Sequence, residues 1–548
     1  MTAQPTVLLE VKDLKVAFGP LVAVDGVSFA IRRGETFALV GESGSGKSVT
    51  ALSVLRLLPG NGHILGGEAR LAGQDLFRLP EAAMQRVRGA RIGIVFQDPM
   101  ACFNPVMTVG AQIAEAVALH RSLRGATLCE RVLELLALVG IPDPQARIGA
   151  YPHQLSGGQR QRAMIALALA GEPDLLIADE PTTALDVTLQ AQILELLQDL
   201  QAKTGMALWL ITHDLALVAE SADRVAVMQG GRLVEQGDCA RVLGRPQHAY
   251  TRQLLEAQPV FDPNRLPRPP LPPLLEVRDF RVYYPVRKGI LQRVVDRVRA
   301  VDGVSFTVQQ GRTLALVGES GCGKSTLGKA LLDLLPVSGG SLRFEGADLL
   351  ALNRSERRAA QSRLQIVFQD PFSSMNPRLL VGEIVAEGLR ALFPRMTATE
   401  RDARVAELLE QVGLPREVCG RYPHEFSGGK RQRICIARAL AVRPSLIVCD
   451  EPTSALDVSV QAQIVRLLRT LQEQDGLSYL FISHDLGVVA ELADEIAVMW
   501  QGRIVEHGNA RQILTAPNHP YTQRLIAAAP RMLGARSARE PSGRSSRA

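Results

Sequence analysis

The apolar positions of this chain fall into short runs of two kinds. VLLEVKDLKVAF and TFALVG, near the start, have the aliphatic and β-branched content of strands, whereas SVTALSVLRLL (48–58), behind a glycine-rich loop, repeats its apolar residues at helical spacing. LLIAD (Leu175–Asp179) and LIVCD (Leu446–Asp450) are apolar runs ending in a carboxylate. That is the pattern of a strand buried on both faces that delivers an acid at its C-terminal end, where the sites of α/β proteins form. Runs such as Ala163–Ala170 are broken by charge well before the ~20 residues a membrane-spanning helix needs, so any membrane role is expected to come through a partner.

The pattern is written twice. AVDGVSF (from Ala23 and Ala300), VGESGxGKS (from Val40 and Val317), IVFQDP (from Ile94 and Ile366), SGG (from Ser156 and Ser427), DEPT (from Asp179 and Asp450) and THD or SHD (to Asp214 and Asp485) recur in one order. The offset is 277 residues at the first blocks and 271 from SGG onward, so insertions fall between motifs. A length of 548 residues also exceeds what one core supports. The expected division is a first domain at 1–258, a proline-dense, extended linker at 259–273, a second domain at 274–533 and a disordered Arg- and Ser-rich tail at 534–548.

Composition adds exclusions. With 46% hydrophobic and 22% charged residues the chain is a packed globular protein, and its 4% aromatic content argues against a base-stacking platform. A formal charge of +6 is small over this length, and no nucleic-acid partner is expected. Seven scattered cysteines without a CxxC pair suggest neither a disulfide frame nor a zinc site. The N-terminus lacks a secretory signal pattern, so a cytoplasmic location is expected.

Two stretches fit GxxxxGK[ST] between a strand and a helix: Gly41, Glu42, Ser43, Gly44, Ser45, Gly46, Lys47 and Ser48, then Gly318, Glu319, Ser320, Gly321, Cys322, Gly323, Lys324 and Ser325. Glycines let backbone N–H groups turn toward phosphates, the helix N-terminus adds positive potential, and the lysine supplies a compact charge. Val49 and Thr326, next in line, are counted with these phosphate-binding loops. The chain has eight lysines, and two occupy this one position, which asks for an ammonium rather than a guanidinium. Ser48 and Ser325 offer a hydroxyl to magnesium; Asp179 and Asp450 can hold that ion through water, leaving Glu180 and Glu451 to activate the attacking water.

LSGGQ at Leu155–Gln159, FSGGK at Phe426–Lys430, and DEPT closely upstream of ALD resemble ABC transporter ATPases, and the resemblance covers nearly the whole chain. It implies tandem P-loop NTPase domains of α/β class, each with a mainly parallel sheet core, an antiparallel β subdomain and a helical subdomain. It further implies a head-to-tail sandwich in which Lys47 works with Ser427, Gly428, Gly429 and Lys430, and Lys324 with Ser156, Gly157, Gly158 and Gln159. By the same match His213 and His484 are the switch histidines that contact the γ-phosphate. Gln97 and Gln369 sense magnesium and link to the membrane partner. Phe18 and Tyr284 stack on adenine, with Tyr283 an alternative to Tyr284. Both copies keep the full set, so two competent sites are expected. The departures are Lys430 in place of glutamine and Cys322 in place of serine; a helix N-terminus beside Cys322 is expected to lower its pKa and make it reactive.

GRPQHAYTRQLL (Gly244–Leu255), APNHPYTQRLI (Ala516–Ile526) and the insertion PVRKGILQRVVD (Pro285–Asp296) resemble ATPases of oligopeptide, dipeptide and nickel importers, whose double-headed members serve glutathione and microcin C or peptide uptake. This implies two membrane-spanning permease subunits, an extracytoplasmic solute-binding protein, and a peripheral position on the cytoplasmic face of the inner membrane. Some relatives hold an iron–sulfur cluster in this tail; only Cys239 lies near either tail here, so none is expected. The rival reading, an ABC-type translation factor acting on the ribosome, predicts a long charged helical linker rather than a short proline-rich one and lacks a reason for the HxYT tails.

Overall fold

The computed structural model describes residues 6–529 apart from 183–184, 260, 262–268, 270, 289–292 and 455. Most of the proline-dense 259–273 segment, the tip of the 285–296 insertion and the 534–548 tail lie outside the described residues. The chain divides into two compact units at about Ala257.

In the first unit a six-stranded sheet runs in the order Arg232–Asp238, Arg224–Gln229, Thr36–Val40, Ala207–Thr212, Leu175–Asp179, Ile92–Val95; only the first pair is antiparallel. The three central strands are buried at every position, which is why they read as unbroken apolar runs. A second sheet, ordered Leu21–Arg32, Val7–Phe18, Gly62–Leu71, Gln74–Asp75, is antiparallel throughout and alternates buried and exposed positions. The two share a core in which Phe29 lies 5.1 Å from both Phe37 and Trp209. The helices Val109–Arg121, Gly125–Leu138 and Gly157–Ala168 form a separate apolar cluster around Ile113, Val117, Leu135 and Met164.

The second unit repeats this plan. Its six strands run Leu364–Val367, Leu446–Asp450, Ser478–Ile482, Thr313–Val317, Glu495–Trp500, Arg503–Asn509, and its four-stranded antiparallel sheet opens on the longer strands Pro273–Lys288 and Arg293–Gln309, 16 and 17 residues against 12 and 12 in the first unit. The 285–296 insertion is thus an extension of one hairpin.

One element is shorter than its apolar period predicts. The helix expected over 48–58 is Lys47–Val54, because Arg56 turns left-handed (φ 54°) and the chain closes with Arg56 N–H on Ser53 O at 3.0 Å and Leu57 N–H on Leu52 O at 2.8 Å. Asp333 (φ 61°) ends Lys324–Leu331 in the same way. The period runs on past the helix because Leu55 is still buried against the sheet and Leu58 still packs on it.

Candidate functional site

Thr36–Val40 ends at Gly41, and the loop turns through left-handed backbone at Gly44 (φ 77°) and Gly46 (φ 104°). A β-carbon would stand 2.2 Å from Met228 O at Gly41 and 2.6 Å from Ala23 O at Gly46, so neither position accepts a side chain. Lys47 is buried, and its Nζ donates to the carbonyls of Gly41 (2.7 Å) and Glu42 (2.8 Å). The helix Lys47–Val54 starts at Gly46 with no side-chain cap, which leaves its first N–H groups to meet an anion. In the second unit Lys324 Nζ donates to Gly318 O (2.7 Å) and Glu319 O (2.8 Å) on a loop of the same shape.

The apolar strands deliver their acids onto this loop. Ser48 Oγ donates to Asp179 Oδ1 at 2.9 Å and Ser325 Oγ to Asp450 Oδ1 at 2.8 Å. Burial pushes the Asp179 carboxyl up to about 6; the Ser48 bond opposes this, Glu180 adds to it and Lys47 opposes it. Asp450 is raised for the same first reason. Gln97 Nε2 donates to Glu180 Oε2 at 2.7 Å, and His213 Nδ1 lies 3.3 Å from Glu180 Oε1. The copy matches: Gln369 Nε2 to Glu451 Oε2 at 2.8 Å, His484 Nδ1 to the same oxygen at 3.3 Å. Burial alone would lower both histidines, but the glutamate beside each one raises them. Burial would raise Glu451, and His484 turns the balance so that it is lowered. Loop lysine, serine, aspartate, glutamate, glutamine and histidine thus converge within each unit.

The signature motifs open helices. Ser156 caps Gly157–Ala168 in a reciprocal pair: Gln159 N–H donates to Ser156 Oγ (3.3 Å) and Ser156 N–H to Gln159 Oε1 (3.2 Å). Ser427 occupies the same place before Gly428–Leu440 but makes no side-chain cap bond, and the Lys430 ammonium, a donor only, cannot return the bond to Ser427 N–H that Gln159 gives Ser156.

Phe18 ends its strand against Gly62, where a β-carbon would meet the ring at 2.8 Å. Of the two candidates in the second unit, Tyr283 is committed: its hydroxyl donates to Asp302 Oδ1 at 2.6 Å and the Arg299 guanidinium lies over its ring at 5.9 Å. Tyr284, 38% exposed, takes the position corresponding to Phe18, though inside the longer strand Pro273–Lys288, where it pairs with Val298. The expectation for Cys322 is corrected. Burial raises its thiol, and Lys324, whose Nζ lies 3.7 Å from the sulfur, opposes that only in part.

Sequence reading missed two residues. The hydroxyl of Tyr250 accepts from Glu42 N–H at 3.2 Å, and that of Tyr521 accepts from Glu319 N–H at 2.9 Å, so each HxYT tail clamps the phosphate loop of its own unit. The preceding histidine caps the tail helix, accepting from Tyr250 N–H (3.2 Å) in one unit and Tyr521 N–H (3.1 Å) in the other. The repeated Tyr was visible as a motif; its target was not.

A glycine-rich loop closed by lysine, a buried acid behind it and a glutamate held by glutamine and histidine define a nucleotide triphosphatase, present twice. The family described as ABC transporter matches residues 24–183 and 301–454, and the one described as oligopeptide/dipeptide transporter, C-terminal region, matches 234–277 and 505–547. The chain belongs to the ABC transporter family: it binds ATP, and as the ATP-binding subunit it couples ATP hydrolysis to transport through membrane permease partners. It is 52% identical to the peptidoglycan transport ATP-binding protein YejF of Agrobacterium fabrum, over 95% of this chain and 96% of that one. It is 47% identical to the glutathione import ATP-binding protein GsiA of Escherichia coli K12, over 95% of this chain and 89% of that one.

Proposed function

We propose that this chain energises uptake of peptides or related small solutes, acting as both ATPase heads for two membrane-spanning permease subunits that receive cargo from an extracytoplasmic solute-binding protein. The tails that match the oligopeptide/dipeptide transporter region, and relatives named for peptidoglycan transport and glutathione import, support that cargo class. Among the described residues no helix is long and apolar enough to cross a membrane. The permeases provide the path for cargo, and this chain sits on their cytoplasmic face.

Each ATP lies on one half's phosphate loop and is closed by the other half's signature: Lys47 with Ser427 to Lys430, Lys324 with Ser156 to Gln159. The loop N–H groups, Val49 and Thr326 included, hold the phosphates, and Phe18 and Tyr284 take the adenine. Ser48, Asp179 and Gln97, with Ser325, Asp450 and Gln369, offer the hard oxygen donors magnesium prefers, and the pressure of burial on Asp179 is one a cation would relieve. Bound with ATP, that ion would neutralise charge on the phosphates. Glu180 and Glu451 orient and deprotonate the attacking water, while His213 and His484 face the γ-phosphate. Closure on ATP and reopening after hydrolysis then drive the permeases.

The observation that carries this reading is the glutamate held between glutamine and histidine at 2.7–3.3 Å, repeated in both units. The double variant Glu180→Gln, Glu451→Gln should bind ATP and retain it unhydrolysed. Hydrolysis by that variant at the parent rate refutes the assignment.

A further inference from the structure

The loop behind each of these glutamates is held differently in the two halves. In the first, Gln161 of the signature helix is 2% exposed and donates from Nε2 to Pro181 O at 2.6 Å, while Gln190 Nε2 donates to Thr182 O at 3.1 Å. Pro181 and Thr182 are the two residues directly after Glu180. The equivalent residues of the second half are Gln432 and Gln461. Gln432 is 1% exposed, yet neither its Nε2 nor its Oε1 has a partner. Gln461 turns away to Asp485 Oδ2 at 2.7 Å.

Upstream the halves agree. Glu180 and Glu451 both adopt left-handed backbone, at φ 47° and 46°, and their N–H groups donate to Ile211 O (2.8 Å) and Ile482 O (2.9 Å). A non-glycine residue keeps such a conformation only where its surroundings hold it. In the first half two side-chain amides hold the carbonyls that follow; in the second, these two do not.

We infer that Gln161 is a positioning residue for Glu180, joining the signature helix to the glutamate of its own half, and that Gln432 makes no such link to Glu451, so the two ATP sites are unequal. This rests on the reading of Glu180 and Glu451 as the residues that activate water. A general base must stand within hydrogen-bond reach of its water in a defined direction. Tying the main chain after Glu180 to the signature helix narrows the directions its carboxylate takes, whereas the carbonyl of Glu451 is held by Ser454 N–H (3.3 Å) and Oγ (3.1 Å), with no link from Gln432 of the signature helix. The signature helix is also the element proposed to touch the opposite nucleotide. Through Gln161, occupancy of one site therefore reaches the glutamate of the other, and the reverse route through Gln432 is missing.

The test compares Gln161→Met and Gln432→Met in the full chain by steady-state ATP hydrolysis and thermal melting; methionine keeps length and shape and removes the donor. Gln161→Met should lower kcat about two- to tenfold, the effect of one net hydrogen bond felt in the transition state, with KM for ATP unchanged. Gln161→Leu should show the same split. Gln432→Met should keep kcat and melt at a higher temperature, because a buried amide without partners has been removed. An unchanged kcat in both Gln161 variants, whatever happens to melting, makes the bond merely structural and overturns the inference, as does an equal loss in Gln432→Met. Glu180→Gln run alongside separates the two claims: if it hydrolyses at the parent rate the reading of Glu180 fails, and if it is impaired while Gln161→Met is not, the inference alone fails.

Discussion

Tyr250 and Tyr521 tie the C-terminal tails to the glycine-rich loops. Each is nearly fully buried, and each hydroxyl holds the N–H of the second residue of a phosphate loop. With that N–H engaged, the loop is fixed in place before it meets phosphate. Removing the hydroxyl while keeping the ring, in Tyr250→Phe with Tyr521→Phe, should raise KM for ATP about two- to tenfold, the net effect of a hydrogen bond at each site, with kcat little changed. Unaltered ATP affinity in that variant would show the clamp to be idle. The loops and acids were legible in the sequence because their chemistry demands fixed spacings, and the glutamines and histidines through the resemblance to ABC transporter ATPases. The tyrosines were not, since Tyr250 and Glu42 lie 208 residues apart and only packing joins them. Cys322 was misread for a related reason: its helix N-terminus is visible in the sequence, but the burial that outweighs it is a tertiary property.

At the scale of elements, the buried strands were the most legible. Leu175–Asp179 and Leu446–Asp450 are apolar because both faces are covered, and their acids project at the end where the sheet opens. The helix behind the first phosphate loop was overestimated, because Arg56 stops it in a left-handed turn that no glycine announces. The two signature helices differ in a way the sequence does announce. Gln159 completes a reciprocal cap with Ser156, and Lys430 leaves Ser427 without one. Lys430→Gln should supply the missing acceptor and stabilise the second unit by about 0.5–1 kcal/mol, read as a rise of roughly 1–4 °C in melting temperature. A melting temperature equal to or below the parent value would contradict that account of the cap.

For the whole molecule, the duplication was plain from the repeated motif order, and both units carry the same two sheets and the same convergent site. Their inequalities were harder to read: Gln161 and Gln432 are the same residue type at the same place, and only their bonding differs. The central claim is that the two halves complete each other's sites, so that neither phosphate loop works with its own signature. Single-turnover hydrolysis of ATP by chains that keep one phosphate loop addresses it most directly. With Lys324→Ala leaving only the loop of Lys47, adding Ser427→Ala should abolish the remaining turnover while adding Ser156→Ala should spare it. Loss caused by Ser156→Ala, with Ser427→Ala harmless, would show that each half closes its own site and contradict the account.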